Sequence, residues 1–556
     1  MKISPITAAL FAATTFLLPA GLIAQDDHQN GDPHGFEFQP DSLVLSRSVY
    51  VGTASTVTIG ETLPLGCQGG LTGLTVNVPT TTGGTTPVTV PCGIATDNGE
   101  YANVFDTHNV FNNANSDGSF GITSPIFLDN LTTDGRLLGT LPVPTDQIVT
   151  SFSSKSELAL NRSIDGRSIT FMGYRGGIGC GGSTVSPTAP NLLDVSASNT
   201  PGVCDPTNPV ITTFISNPVV PAAYYRAVAE VDDDGHISFT DGNAYSGDNG
   251  RAAIKGANGL YYMVGNDNSG NLSKKQMSTT QDGINLANAT GSELLYPGLT
   301  PPPIPPNIEM IGRLLFSGDK PGKDTNFRGL TIFNNTLYVS KGSGSNGINT
   351  VYQVGSAGTL PTGSAADLAT VPITILPGFP NTAASTSTAF PFGIWFADAN
   401  TLYVCDEGDG ALVTPAVNGN IADAQSQATA GLQKYRLING TWVLQYILQD
   451  GLNIGVPYNI PWYPSPINPA TGGCRNIAGR HNPDGTVTIF AITSTISANG
   501  DTGADPNKLV KVTDRVSDTT LPTGHGLLGR FKTVRNAGAR EVFRGVAFAP
   551  GDSDGR

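Results

Sequence analysis

The chain has 556 residues, of which 68 are Gly and 40 are Pro, so about one residue in five interrupts regular backbone and long helices are not expected. Charged residues make up only 13%, and 30 basic against 44 acidic residues leave a net charge of −14. That balance excludes coiled coil, charge-rich disorder and binding of nucleic acid or anionic lipid through a basic surface, and leaves an acidic, polar, β-rich globular protein.

Met1-Lys2, an apolar stretch from Ile6 to Ile23 and small residues over Ala20 to Ala24 read as a secretory signal peptide at 1–24, which predicts a secreted protein, extracellular or periplasmic. Thr14, Thr15, Pro19 and Gly21 interrupt the stretch and no basic stop-transfer flank follows, which argues against a membrane anchor. No later segment is long and apolar enough to span a bilayer, so no membrane insertion is expected. Residues 25–42 form an N-terminal arm. Its Gly35-Phe36-Glu37-Phe38 alternation could add a strand to a neighbouring copy, giving a homo-oligomer or a self-assembling surface protein as one reading.

A unit of four short β runs then recurs every 60–90 residues or so, the sequence form of a β-propeller blade. It is clearest from Phe327 (FRGLTIFNNTLYVSKG, NTVYQV, VPITILPG) and from Pro391 (PFGIWFADANTLYVCDEGDG, GLQKYRLING, TWVLQYIL). It recurs with more noise at 154–174 continuing to 224–240, at 250–265 and at 474–493. VFRGVAFAP (542–550) is a first strand with no second, whereas LVLSRSVYVG (43–52), SPIFLDNL (124–131) and RLLGTLPVP (136–144) are three strands with no first. Joined in one sheet they close the ring and remove its free edges. The predicted fold is therefore all-β, a six-bladed β-propeller over 43–550 closed by N-terminal strands joining the C-terminal strand, with a tail at 551–556. A seventh blade in the Pro-rich region 268–325 is the alternative.

Turns between first and second strands stay tight at Asp165-Gly166, Asn334-Asn335 and Asp484-Gly485, while insertions fall at about 53–123, 175–223, 268–325 and 407–430. Second-to-third loops share one propeller face with the leading ends of the first strands, so that face holds the expected binding site. The Asp232-Asp233-Asp234-Gly235 run is read as a turn between third and fourth strands on the opposite face.

Six cysteines in an exported chain, none in a C-x-x-C pair, read as disulfides. Of the 15 pairings, proximity favours Cys67–Cys92 and Cys180–Cys204, leaving Cys405–Cys474 to tie one blade to the next. Sequons at Asn130, Asn161, Asn271, Asn288, Asn334 and Asn439 would make a glycoprotein in a host with the glycosylation machinery. The runs SKSELALNRSIDGRSITFMGY and FGIWFADANTLYVCDEGDG resemble the leading hairpins of secreted β-propeller proteins of uncharacterised function. The resemblance implies a secreted propeller and carries no activity.

Aligning first strands puts Arg251, Arg328, Arg475 and Arg544 at equivalent leading positions, with Phe392 in one blade and Glu157 nearby in another. Guanidiniums around one axis suit a carboxylate, phosphate or sulfate; the structural alternative is that they satisfy backbone carbonyls at the blade seams. Asp406, Glu407 and Asp409 in DEGDG are a candidate Ca²⁺ site, though the loop lacks the spacing of a known calcium loop and a solvated acidic turn is the favoured reading, and no other cofactor is indicated. His28, His34, His108, His236, His481 and His525 lack zinc-site spacing, and no G-x-S-x-G elbow is present.

Gluconolactonase-like propellers hold a divalent cation on axial carboxylates and Asn. Glu157 matches the first of these, but arginines occupy most of the other positions. Cys474-Arg475-Asn476 resembles the His-Arg-Asn run of soluble quinoprotein sugar dehydrogenases, with a Cys that cannot act as general base once it is in a disulfide. The expected function is an extracellular binding or scaffold protein without catalytic residues, its partner an extracellular macromolecule or an anionic small molecule. A metal-dependent hydrolase or lactonase at the channel mouth is the alternative.

Overall fold

The tight hairpins form where the turn residues tolerate left-handed backbone. Asn334 and Asn335 have φ of 46° and 54°, and Gly166 and Gly485 have φ of 73° and 78°, the conformations that let a short turn follow the twist of its strands. The computed structural model describes residues 35–50, 124–175, 226–242, 250–265, 326–382, 389–413, 428–461, 468–496 and 505–551, with short gaps inside several spans, and the backbone of short strands within 62–124 and 284–314. The signal-peptide region, Cys67, Cys92, Cys180, Cys204 and Asn271 lie outside the described residues.

Five four-stranded antiparallel sheets are arranged as propeller blades. Written from the innermost strand outward, one comprises Gly250–Lys255, Leu260–Gly265, Ile284–Asn288 and Met310–Leu314. The next is Phe327–Phe333, Thr336–Lys341, Thr350–Val354 and Ile373–Ile375. Pro391–Asp398, Thr401–Asp406, Gly431–Ile438 and Thr441–Leu448 follow, then Ala470–His481, Thr486–Ile496, Lys508–Arg515 and Lys532–Asn536. The fifth is the composite sheet: Glu541–Phe548 pairs with Leu43–Val49, which pairs with Ile126–Leu131 and through it with Leu137–Pro142. The split ends therefore join as the sequence predicts. The strands at 284–288 and 310–314, inside the Pro-rich region, complete the sheet that begins at Gly250.

A further sheet lies between the composite sheet and the one beginning at Gly250. It contains Asn161–Arg162, Ser168–Arg175, Arg226–Asp232 and Ile237–Gly242, with Ile148–Ser151 sharing the inner edge of Ser168–Arg175. Its leading strand is shorter than the apolar run SELALNR predicts. Leu158 is buried with φ of 62°, a backbone conformation that costs a branched side chain about 1–3 kcal/mol and breaks the ladder there. The insertion at 53–123 also differs from a plain loop, since 73–79 pairs with 85–91 and 62–63 with 93–94.

The innermost strands touch their neighbours in ring order. The core is a series of apolar layers between successive sheets, such as Tyr403, Leu432 and Leu448 against Ile477, Ile489 and Val510. The arm is used within the chain: Phe38 is buried, its N–H donates to the Asp233 carbonyl at 2.9 Å, and Phe36 covers Gly235. Gly235, with φ of 73°, turns the chain between third and fourth strands as expected. The alternation at 35–38 therefore packs on its own sheets, which corrects its reading as a free strand for a neighbouring copy. Asn130 is likewise 1% exposed and donates to Ser42 Oγ and the Leu43 carbonyl, so this sequon cannot carry a glycan in the folded chain. Asn334 and Asn439 are exposed.

Close approach of the inner strands explains the recurring glycine after the leading residue. A Cβ on Gly329 would lie 2.2 Å from the Phe392 carbonyl oxygen, one on Gly393 2.4 Å from that of Arg475, and one on Gly545 2.5 Å from that of Leu158. Each of these atoms is backbone and cannot swing aside. Gly393→Ala is expected to lose about 2–3 kcal/mol in urea unfolding, where an unobstructed Gly→Ala change would be neutral or stabilising.

Candidate functional site

Every one of the five blades carries a register shift at the leading position, falling at residue 251, at 328–329, at 392–393, at 475–476 and opposite Ser46/Arg47 at 544. A bulge inserts an unpaired residue and re-aims its side chain. Here it brings the arginines to the ends of the inner strands, where Arg251, Arg328, Arg475 and Arg544 are all buried.

Three of them converge with a residue the sequence alignment missed. Arg475 Nε donates to Glu407 Oε2 at 2.9 Å, and Lys155 Nζ lies 3.6 Å from Glu407 Oε1. Lys155 in turn feels the charges of Arg328, Arg475 and Arg251. Arg328 Nε donates to the Gly342 carbonyl at 2.7 Å, with its guanidinium 5.9 Å from the Phe392 ring centroid. Arg251 donates to Ser156 Oγ (2.8 Å), the Phe327 carbonyl (2.9 Å) and Asn326 Oδ1. Three cations, Lys155, Arg328 and Arg475, thus act on one carboxylate, and Arg251 acts on Lys155. Burial alone would raise Glu407, but Lys155, Arg475 and Arg328 overcome it and hold the carboxyl at about 2. Glu407 pulls the Lys155 ammonium up, yet burial and the three guanidiniums bring it down to about 8.

Arg544 plays the seam role: its guanidinium donates to the Phe152 and Ser154 carbonyls and to Ser48 Oγ. Glu157 accepts from Thr150 Oγ1 (3.2 Å), the Ser151 N–H (3.3 Å) and the Tyr174 hydroxyl. Lys155, two residues earlier, takes the charged place that alignment gave to Glu157. Its signal was present in the SKSE run but was masked by the left-handed turn at Leu158.

The three acidic loop residues have separate partners. Asp406 is fully buried and accepts from the Phe390 and Gly408 N–H groups and Gln433 Nε2 at 2.8–3.0 Å; burial raises its carboxyl to about 7 against these donors. Glu407 belongs to the cation cluster, and Asp409 is exposed, accepting from the Ala411 N–H at 2.8 Å. Among the described residues no three His, Cys, Asp or Glu side chains group as metal ligands. Cys405 and Cys474 form the expected disulfide, with Cα atoms 5.3 Å apart, fixing the loop to the next blade.

No protein-family profile matches the chain, and no curated protein matches it. Among solved structures it is similar to the hemagglutinin-neuraminidase ectodomain of parainfluenza virus 5, at 11% identity and a TM-score of 0.32 over 75% of this chain and 76% of that one. It is also similar to an ACO/RPE65 chimera, at 10% identity and a TM-score of 0.21 over 86% of this chain and 64% of that one. At these levels the β-propeller rests on the sheets described above. No helix among the described residues is long and apolar enough to cross a membrane.

Glu407→Gln leaves the buried cations without their counter-ion and is expected to cost about 3–5 kcal/mol at pH 7 in urea unfolding. A carboxyl held at about 2 when folded, against an ordinary 4.5, stabilises fully above pH 4.5, and that contribution disappears as pH falls through about 2. The variant is expected to lose the corresponding part of the acid limb.

Proposed function

We propose that the chain is a secreted six-bladed β-propeller acting as an extracellular binding protein, with its ligand site at the leading ends of the inner strands. The sheet built on Asn161–Arg162 serves as the sixth blade in this reading, since it fills the place between the composite sheet and the one beginning at Gly250. The observation that carries the reading is the convergence of cations: Lys155, Arg328 and Arg475 act on one buried carboxylate, Glu407, and Arg251 acts on Lys155. Guanidinium forks gathered at one place favour an incoming carboxylate, sulfate or phosphate group. A metal-dependent hydrolase is less well supported, because the acidic side chains of the loop are divided among amides, cations and solvent.

Calorimetric titration with inorganic sulfate, phosphate and a sulfated polysaccharide at low and at physiological salt tests the proposal. Saturable binding is expected, weakened about ten-fold or more by Arg328→Ala and reduced by added salt. Equal affinity in the variant, verified as folded by its urea transition, would overturn the anion site, as would absence of saturable binding to all three probes.

A further inference from the structure

The other ends of the inner strands enclose a second space. A cavity of about 620 Å³ lies where Ile254, Thr331, Trp395, Arg480 and Phe548 meet Asp41 of the arm. Its volume suits a small organic ligand. Between the inner strands, at Gly329, Gly393 and Asn476, lies a void of only about 10 Å³, room for no more than a water molecule.

Most polar groups around this mouth are committed. Arg162 donates to the Gly166 and Gly551 carbonyls, both at 3.1 Å, and Asn161 to the Ala253 carbonyl at 3.0 Å. His481 Nε2 bonds the Ala397 carbonyl at 2.6 Å. Three groups make no side-chain hydrogen bond to the described residues. Arg480 makes no hydrogen bond or ion pair to them; its guanidinium is steadied over the Phe548 ring, 5.5 Å from the centroid. The Trp395 indole N–H and the Asp41 carboxylate also lack a hydrogen-bond partner among the described residues, the Asp41 charge acting on the Arg162 guanidinium. The indole lies flat on Gly479, where a Cβ would come within 2.4 Å of the ring, so its position is fixed by the next blade.

We propose that this mouth binds the end of an acidic oligosaccharide, at a site separate from the anion cluster. Arg480 forks onto the sugar carboxylate, Trp395 with Ile394 and Ile477 covers the C–H surface of the ring, and Asp41 accepts from its hydroxyls. Each part of the ligand follows from a group on the wall. A free guanidinium suits a planar carboxylate, an indole provides an amphipathic surface with an N–H donor, and a carboxylate at the rim is an acceptor for hydroxyl donors. An inorganic anion makes no use of the indole, and an aromatic acid without hydroxyls offers Asp41 nothing to accept.

Titration with trigalacturonate, followed by calorimetry and by tryptophan fluorescence, decides the matter. The expected result is saturable binding with a change in emission that Trp395→Phe removes while Trp442 and Trp462 remain. Arg480→Ala and Arg480→Gln, each checked for an unchanged urea transition, are expected to weaken it about ten-fold or more. Neutral maltotriose should bind at least about ten-fold more weakly, and in the Arg328→Ala background, which weakens the cation cluster, the Arg480 variants should still reduce trigalacturonate binding by the same factor. Equal affinity for maltotriose, insensitivity to both Arg480 variants, loss of binding only in Arg328→Ala, or no saturable binding would each overturn the proposal.

Discussion

The molecule depends on how closely its innermost strands can approach one another. At Gly329, Gly393, Gly473 and Gly545 a backbone carbonyl of the neighbouring strand or loop occupies the volume a Cβ would need. That contact fixes the spacing of the blades, and the bulge beside it relieves the register. The bulged residue has no partner in the ladder, so its side chain is aimed at the end of the barrel of strands. The charge cluster is thus a consequence of the packing rule, since a long polar residue is the kind that can fill that end and still bond the seam carbonyls.

Glu407 shows how the rule ties chemistry to architecture. It follows the second strand of one blade, yet Gly473 lies against the Asp406 and Glu407 backbone and Ser494 Oγ donates to the Glu407 carbonyl at 2.7 Å, both from the next blade. The Cys405–Cys474 disulfide is set between the same two strands. A loop clamped in this way presents a single carboxylate at a fixed point among the cations, which suits a counter-ion better than the several converging oxygens a calcium ion requires. Further out, the same seam buries Lys434 against Asp514 at 2.9 Å, with the Tyr403 and Tyr446 hydroxyls donating to that carboxylate. Each partner satisfies the others, so the charges can sit between blades without water.

Much of this was legible in the sequence because it is written locally. Unmatched strands at the two ends, Asn-Asn and Asp-Gly turns, and Arg-Gly dipeptides each follow from backbone needs that one short segment reveals. What stayed hidden depends on contacts between distant segments. Leu158 looks like an ordinary strand residue until its left-handed φ shifts the charged position from Glu157 to Lys155. Phe36 and Phe38 alternate like a free strand, but the 233–235 turn covers them. The meeting of Trp395 with Gly479 joins residues 84 apart in two blades, and neither carries a local mark of it.

The two ends of the inner strands differ in kind. The leading ends bury their cations against carbonyls and Glu407, whereas the far ends leave Arg480, Trp395 and Asp41 facing an open cavity. Coupling between them would have to pass through the rigid strands themselves, and strands held carbonyl to glycine have little freedom to shift.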